Sequence, residues 1–250
     1  MSRPAELSRN LAAIRTRIAA ACAQAGRDPA ELTLVAVTKT YPASDVLGLA
    51  SLGLTDFGEN RDQEAATKAA EVAAARAPVR WHFIGQLQTN KAHSVARYAD
   101  FVHSVDRIRL VRALGAAARA AGRDLTCLVQ VSLDPADSGA AVPAAVPATG
   151  RAEAARGGVP PARLAEVAAA IEAEQGLTLG GLMAVAPRSV DPRAAFGPLR
   201  QLSHVIRSIN SSATLISAGM TGDLEAAVES GATHLRIGTA LLGDRRLPVL

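Results

Sequence analysis

The sequence has few aromatic residues and few cysteines, and both shortages exclude classes of protein. Aromatic side chains make up only 3% of the 250 residues, too few for the stacking platforms on which many proteins bind single-stranded nucleic acid. The two cysteines, Cys22 and Cys127, lie far apart in segments of different kinds, which argues against a disulfide framework or a zinc site. We therefore expect a cytoplasmic protein without a bound metal.

Long hydrophobic runs and runs of one charge are also missing. The roughly 18 continuous apolar residues typical of a membrane-spanning helix do not occur, and the N-terminus lacks the apolar segment of a signal peptide. Arginine is scattered along the chain although the net charge is +4, so the sequence predicts no nucleic-acid partner. A small anionic ligand accounts for local positive charge with fewer assumptions.

The sequence does contain a regular alternation of short apolar runs and helical patterns. The predicted strands cover residues 32–37, 56–60, 81–85, 101–105, 127–133, 179–185, 214–220 and 234–241. The predicted helices cover residues 5–25, before the first strand, and then 43–52, 61–75, 90–96, 107–121, 161–174, 192–208 and 224–230. Strands that alternate with helices form parallel βαβ units, and eight such units predict a (β/α)₈ TIM barrel. A doubly wound open sheet is the alternative, but we find no G-x-G-x-x-G motif of its dinucleotide-binding form.

One segment, residues 134–161, interrupts this alternation. It is rich in alanine, proline and glycine and has no hydrophobic period. We interpret it as a flexible insertion in a single domain that spans residues 1–250. The functional alternative is a lid, because loops that follow strands line the ligand-binding face of a barrel.

A lysine follows the first predicted strand. Residues 32–37 have the composition of a buried strand, and Lys39 comes just after its end, where the strands of a barrel face the ligand. A lysine in a desolvated pocket has a lowered pKa and can attack a carbonyl group. The alternative is a structural ion pair between Lys39 and Glu59 or another carboxylate at a strand end.

Small residues and glycines follow the seventh predicted strand in the stretch SAGMTGD, residues 217–223. Backbone N–H groups there, with the hydroxyls of Ser217 and Thr221, predict an anion site. The turn at residues 236–239 adds further donors, and phosphate sites after strands seven and eight recur in barrels. Ordinary helix capping by Thr221 is the alternative. A phosphate held opposite Lys39 predicts a phosphorylated aldehyde as ligand, such as pyridoxal 5′-phosphate (PLP).

Arg236 lies two residues before Gly238, so both face the same side of the eighth strand. Its side chain has two candidate roles: it binds the phosphate, or it faces the ring nitrogen of PLP. An arginine keeps its proton at ordinary pH, so it would keep that nitrogen unprotonated and the ring a poor electron sink. The pattern then predicts a cofactor site with weak carbanion chemistry.

Six motifs together resemble those of the YggS/PROSC family of PLP homeostasis proteins: VAVTKTYP, DFGENRDQE, WHFIGQLQTNK, HSVD, GLMAVAP and SAGMTGDLEAAVESGATHLRIGTALLG. The resemblance runs from about residue 7 to residue 243. It implies a fold-type III barrel like the N-terminal domain of alanine racemase, with PLP bound to Lys39 as a Schiff base. It implies that the other cofactor-binding residues are Asn60, His82, Met183, Ser217, Gly219, Met220, Thr221, Arg236, Gly238 and Thr239.

The sequence departs from the family pattern in three places. The segment 134–161 is longer than usual, the turn after the seventh strand reads SAGMT where SMGMS is common, and Gln86 stands where proline is frequent. None of these changes removes a chemical group that the site needs.

Three functions compete: intracellular PLP homeostasis without strong catalytic activity, amino-acid racemisation with PLP, and regulation without a cofactor. A two-base racemase needs an acid or base on the face of the substrate opposite the lysine. In alanine racemase a tyrosine from a second domain of the partner subunit has this role, and we recognise no such domain here. Tyr41 lies on the lysine's own strand end and Tyr98 in a helix-to-strand connection, so His82 is the remaining candidate for the second base. We therefore expect a monomeric PLP carrier without catalytic residues, with PLP-dependent enzymes as candidate acceptors.

Overall fold

Eight parallel strands close into a barrel in a computed structural model of the protein, which describes residues 2–137 and 157–243. Strands β1 to β8 are Thr33–Val37, Asp56–Glu59, Arg80–Phe83, Phe101–Val105, Leu125–Gln130, Leu177–Met183, Leu215–Ser217 and His234–Ile237. Each strand pairs with the next along the chain, and β1 pairs with β8. The predicted barrel is confirmed, and closure between β1 and β8 rules out the open sheet.

Helices surround the barrel. Within the described residues α1 to α10 are Arg3–Ala25, Ala43–Ser51, Asp62–Ala74, Ala92–Val95, Ile108–Ala121, Leu164–Glu172, Pro192–Phe196, Leu199–Ile209, Leu224–Glu229 and Thr239–Leu242. The helix predicted at 192–208 is two helices, since Pro198 lacks the N–H that a continuous helix needs. The strand predicted at 234–241 is too long, because Gly238 ends it and begins α10. No helix in this part of the chain is both long and apolar enough to cross a membrane.

Helix α1 packs beside helices α9 and α10. Leu7, Leu11, Ile14 and Ile18 recur at helical spacing and are all buried, and each fully buried side chain of this size contributes about 1.5–3 kcal/mol. The helix ends where Gly26 takes a left-handed φ of 64°, a conformation that costs glycine little.

Two of the described strands, β4 and β6, contain β-bulges. In β4 the pairing with β5 shifts by one residue between Val102 and Val105, so the extra residue falls at positions 103–104. In β6 the extra residue is Gly180. Bulges of this kind re-aim side chains at the rims of barrels, which breaks the simple alternation of inward and outward residues.

Both described ends of the segment 134–161 lie beside the C-terminal end of β5. Val159 forms a parallel bridge with Val131, through N–H bonds from Val159 to Gln130 O (2.9 Å) and from Ser132 to Val159 O (2.8 Å). The interpretation of this segment as a flexible insertion concerns mainly residues 138–156, which lie outside the described residues.

Gly181, next to the bulge in β6, supplies the first test of this packing. It has a φ of 150°, and a Cβ atom there would lie 1.9 Å from the carbonyl oxygen of Leu215 in β7. We expect Gly181→Ala to lower the free energy of unfolding by about 3 kcal/mol, measured by urea denaturation, because a strand must move. The matched control is Gly222→Ala, where a Cβ atom meets nothing within 4 Å. Equal denaturation midpoints for the two variants would contradict this packing.

Candidate functional site

The turn after β1 presents Lys39 at the C-terminal end of the barrel. It is closed by the N–H of Tyr41, which donates to Thr38 O (3.0 Å), and Lys39 itself is half-buried. Thr40 has a φ of 70°, which is unusual and strained for a β-branched residue. The Lys39 amine has no hydrogen bond or ion pair with any described residue, so it is available to a ligand.

Helix α3 holds this turn from behind. The buried Lys68 amine donates to Thr38 O (2.8 Å) and to a Glu64 oxygen (3.0 Å). The same Glu64 oxygen accepts the N–H of Thr40. The backbone is therefore fixed on both sides of Lys39, which explains how the strained turn is maintained.

The alternative reading of Lys39 as an ion-pair partner of Glu59 is wrong. Glu59 is fully buried and pairs with Lys68 at 2.5 Å, and the Thr38 hydroxyl donates to the same carboxylate at 2.8 Å. Burial raises the pKa of Glu59, while Lys68 and Thr38 oppose that shift. Lys68 thus neutralises the Glu59 carboxylate, and the amine of Lys39 is left for the site.

Asn60 comes directly after β2, on the same end of the barrel. Its Oδ1 atom is buried and has no hydrogen-bond partner among the described residues. Gly85, after β3, packs so closely that a Cβ atom there would lie 2.1 Å from Asn60 O. A cavity of about 590 Å³ opens beside Asn60 and Gln86. A buried acceptor without a partner is costly unless a ligand supplies the donor.

The turn after β7 also requires a glycine. Gly219 has a φ of 91°, and a Cβ atom there would lie 2.6 Å from a side chain of α9. Met220 is exposed, and its N–H donates to Asp223 Oδ1 (2.5 Å). Asp223 occupies the N-cap position of α9, so the alternative in which Thr221 caps this helix is wrong. Thr221 is half-buried and lies in the turn itself.

The remaining predicted residues flank this turn. Gly238 occupies the N-cap position of α10, and Thr239, the first residue of that helix, is exposed. Met183 is buried at the end of β6, where it pairs in register with Ser217 of β7. All four therefore lie at the same end of the barrel as Lys39.

Arg236 is buried inside the barrel, and none of its hydrogen-bond partners among the described residues is a carboxylate. Its Nη1 donates to Ser217 Oγ (2.6 Å) and its Nη2 to Ala184 O (2.8 Å). Burial lowers the pKa of Arg236 to about 10, which still leaves it charged at neutral pH. The hydroxyl of Ser217, predicted as a phosphate donor, is fully buried and bonded to Arg236.

His82 lies in the barrel interior rather than at its open end. It is 1% exposed, and its Nε2 is 2.8 Å from Asp56 Oδ1. Its Nδ1 is 2.9 Å from Nε2 of His103, whose own Nδ1 is 2.8 Å from Ser217 Oγ. Both ring nitrogens of His82 are therefore used within the protein, and it joins the site through this chain of hydrogen bonds.

Sequence reasoning missed His103, Asp56 and Lys68. His103 of β4 lies in the interior, where its ring nitrogens contact His82 and Ser217. The Ser104 hydroxyl is buried without a hydrogen-bond partner among the described residues. Lys68 sits on a helix, where its spacing gave no sign that it reaches the end of β1. The motif HSVD itself was the one available signal for His103.

The chain is similar to proteins that share this fold. It matches the family model of the alanine racemase N-terminal domain over residues 9–246. It is 42% identical to the pyridoxal phosphate homeostasis protein of Mycobacterium tuberculosis, with 98% of this chain and 95% of that protein covered. The structure of PipY from Synechococcus elongatus PCC7942 with PLP bound is 30% identical, with a TM-score of 0.77, and covers 95% of this chain and 100% of that one.

Alanine racemase from Streptomyces lavendulae has the same fold. The two chains are 18% identical with a TM-score of 0.69, and the match covers 98% of this chain but 58% of the racemase. Together the closed barrel and the lysine after its first strand define a barrel of the alanine racemase N-terminal class. Within that class, the chain belongs to the family of pyridoxal phosphate homeostasis proteins, which confirms the resemblance found in its motifs.

The buried histidines make stability depend on pH. Burial lowers the pKa of His82 and His103, and that of His234 from 6.5 to about 4. The unfolded chain therefore binds more protons as the pH falls below 6.5, so stability decreases in acid. For His234 alone the shift is equivalent to about 3 kcal/mol, lost by the time the pH reaches its folded pKa.

Urea denaturation at a series of pH values between 7 and 4 measures this loss. We expect the free energy of unfolding to fall throughout that interval, and to fall less steeply in His234→Gln. His93→Gln is the matched control because His93 is exposed, and its profile should follow that of the unaltered protein. A flat profile would show that the buried histidines are not neutral.

Proposed function

We propose that the protein binds PLP as a Schiff base on Lys39 and takes part in intracellular PLP homeostasis. The observation that carries this proposal is the Lys39 amine, which has no partner among the described residues although a buried carboxylate, Glu59, lies close to its strand end. Similarity to PipY, whose structure contains PLP, supports the same ligand.

The residues present fit PLP. Asn60 offers a buried oxygen without a partner, and the turns at Gly219 and Gly238 bring backbone close to the end of the barrel without side chains. We propose that these turns, with Met220, Thr221 and Thr239, hold the phosphate, whereas the buried Ser217 hydroxyl contributes through its hydrogen bonds to Arg236 and His103. Asn60 and Met183 would line the cofactor pocket, and His82 would support the site through its hydrogen bonds to His103 and Asp56.

When bound, PLP supplies an aldehyde that forms a Schiff base and a ring that can withdraw electrons from it. Arg236 opposes the second property. It remains charged in the barrel interior. A cationic group opposite the ring nitrogen disfavours a proton on that nitrogen and so leaves it unprotonated. We therefore assign Arg236 to the ring nitrogen, which favours storage of the cofactor over carbanion chemistry.

The positions of the candidate second bases support the carrier over the racemase. The Tyr41 hydroxyl donates to Gly243 O (2.6 Å), and Tyr98 contacts Asp62 (3.5 Å) away from Lys39. His82 uses both ring nitrogens within the barrel. A base opposite the lysine therefore has no candidate among these three side chains.

We further propose a monomeric protein of the cytoplasm, built as one PLP-binding domain, that passes PLP to PLP-dependent enzymes. Cys22 and Cys127 are buried free thiols, which supports a reducing compartment. Size-exclusion chromatography with light scattering tests the monomer.

Borohydride reduction tests the Schiff base. The purified protein should show a visible absorption band with PLP, and reduction should fix the cofactor on the peptide that contains Lys39. Lys39→Ala should lose the band and the labelled peptide. Lys91→Ala is the matched control, since Lys91 lies at the same end of the barrel but contacts Asp62 at 3.9 Å.

Two results would overturn the assignment of Lys39. One is a protein that takes up no PLP; the other is label on the same peptide in Lys39→Ala. The distinction between carrier and racemase needs a separate assay with alanine and other amino acids. We expect no racemisation at ordinary enzyme rates, about 1–10³ s⁻¹, and turnover in that range would favour the racemase.

A further inference from the structure

A chain of four hydrogen bonds crosses the barrel interior from the candidate site to its opposite end. Arg236 Nη1 is 2.6 Å from Ser217 Oγ, which is 2.8 Å from Nδ1 of His103. His103 Nε2 is 2.9 Å from Nδ1 of His82, whose Nε2 is 2.8 Å from Asp56 Oδ1. The five side chains come from five different strands, and all are buried.

The protonation of both ends of this chain is fixed. A guanidinium has donors only, so Arg236 must donate. At the other end, burial would raise the pKa of Asp56, but hydrogen bonds from His82, Arg80 and Thr55 hold it well below its usual range. Asp56 is therefore an ionised carboxylate and must accept.

Fixed ends determine the direction of every hydrogen bond between them. Asp56 accepts from Nε2–H of His82, so the Nδ1 of a neutral His82 must accept from Nε2–H of His103. Nδ1 of His103 then accepts from the Ser217 hydroxyl, and that hydroxyl oxygen accepts from Arg236. Each neutral imidazole has one donor and one acceptor nitrogen, so both histidines are Nε2–H tautomers.

The surroundings of the chain favour neutral histidines. His103 faces His82, His234 and Arg236, and burial with these neighbours holds its pKa well below the ordinary value. His82 stacks on Phe101 with ring centroids 4.3 Å apart.

Three charged groups also act on His82. Burial lowers its pKa, Asp56 and the more distant Asp100 oppose that shift, and Arg80 adds to it. A proton on either ring would place a second positive charge in the interior that already holds Arg236.

We propose that Ser217, His103 and His82 are positioning residues that orient the Arg236 guanidinium through a one-directional chain of hydrogen bonds ending at Asp56. This inference rests on the proposed function in one respect, the placement of Arg236 against the cofactor ring. The tautomers of the two histidines follow from the geometry alone and do not depend on any ligand.

The chain of hydrogen bonds connects Arg236 to a carboxylate, which its direct hydrogen-bond partners do not supply. Its direct acceptors, Ser217 Oγ and Ala184 O, are neutral, and its nearest hydrogen-bonded carboxylate is Asp56 at the far end. Aligned hydrogen bonds polarise one another, so the negative charge of Asp56 supports the guanidinium without contacting it. Asp223, at the turn after β7, also acts on the guanidinium through its charge and opposes the effect of burial on the pKa of Arg236.

Long-range ¹H–¹⁵N correlation spectra of the histidine rings test the chain in the full-length protein after removal of cofactor. At neutral pH we expect His82 and His103 each to show a protonated Nε2 and an unprotonated Nδ1. His93 and His204 are exposed and provide reference signals. A protonated Nδ1 on His103, or a doubly protonated His82, would overturn the proposal.

Variants then separate positioning from mere packing. In Ser217→Ala the donor to His103 Nδ1 is gone, so the ¹⁵N signal of that nitrogen should shift, while both histidines stay Nε2–H tautomers because Asp56 still fixes their direction. In His103→Leu the Ser217 hydroxyl loses its acceptor and the Arg236 guanidinium loses its orientation, so we expect the affinity for PLP to fall about tenfold. His93→Gln is the matched control and should change neither readout.

The two variants keep the proposal testable if one of them does not fold. An unchanged ¹⁵N shift of His103 Nδ1 in a folded Ser217→Ala, or unchanged PLP affinity in a folded His103→Leu, would count against it. If the unaltered protein shows the expected tautomers but takes up no PLP, the proposed function fails and the directional chain stands.

Discussion

The buried guanidinium of Arg236 is the constraint on which the centre of this barrel depends. A charge removed from water is costly unless it is paired and hydrogen-bonded. Here Asp56 is reached only through the chain of hydrogen bonds across the interior, and Asp223 acts on the guanidinium only through its charge. Two imidazoles and a hydroxyl, linked in series by hydrogen bonds, offset this cost. Polar groups occupy positions that in many barrels are filled by branched apolar residues, and they must stay neutral for the arrangement to remain favourable.

A similar separation of charge governs the first strand. Two lysines approach the end of β1, and the buried Glu59 binds only the one on helix α3. Lys68 then takes the carbonyl before Lys39, and its partner Glu64 takes the amide after it. The ion pair thus fixes the backbone of the strained turn, and the Lys39 amine is left without a carboxylate partner among the described residues. The same interaction therefore determines both the orientation of the turn and the availability of the Lys39 amine.

Sequence alone was sufficient for the barrel, because each strand and helix carries its own hydrophobic period. It also located Lys39, Gly219 and Gly238 at the correct ends of strands. It failed where tertiary contacts decide the outcome: His103 is linked to His82 and Ser217 from other strands, and Lys68 reaches β1 across a helix–strand contact that has no linear signature. His82 was placed correctly on its strand, but its hydrogen-bond partners come from residues as distant as Asp56 and His103.

In the proposed function, the two charged arrangements would act on opposite ends of PLP. The turn around Lys39 would present its amine to the aldehyde, and Arg236 would place a permanent positive charge beside the ring nitrogen, which carbanion catalysis requires to be protonated. A site that captures an aldehyde and withholds that proton binds its cofactor without activating it strongly. Since both features arise from buried polar groups, altering the function towards catalysis would require a change at Arg236 together with its hydrogen-bond partners, because a neutral residue there would leave Ser217 Oγ and Ala184 O without the donors that the guanidinium supplies.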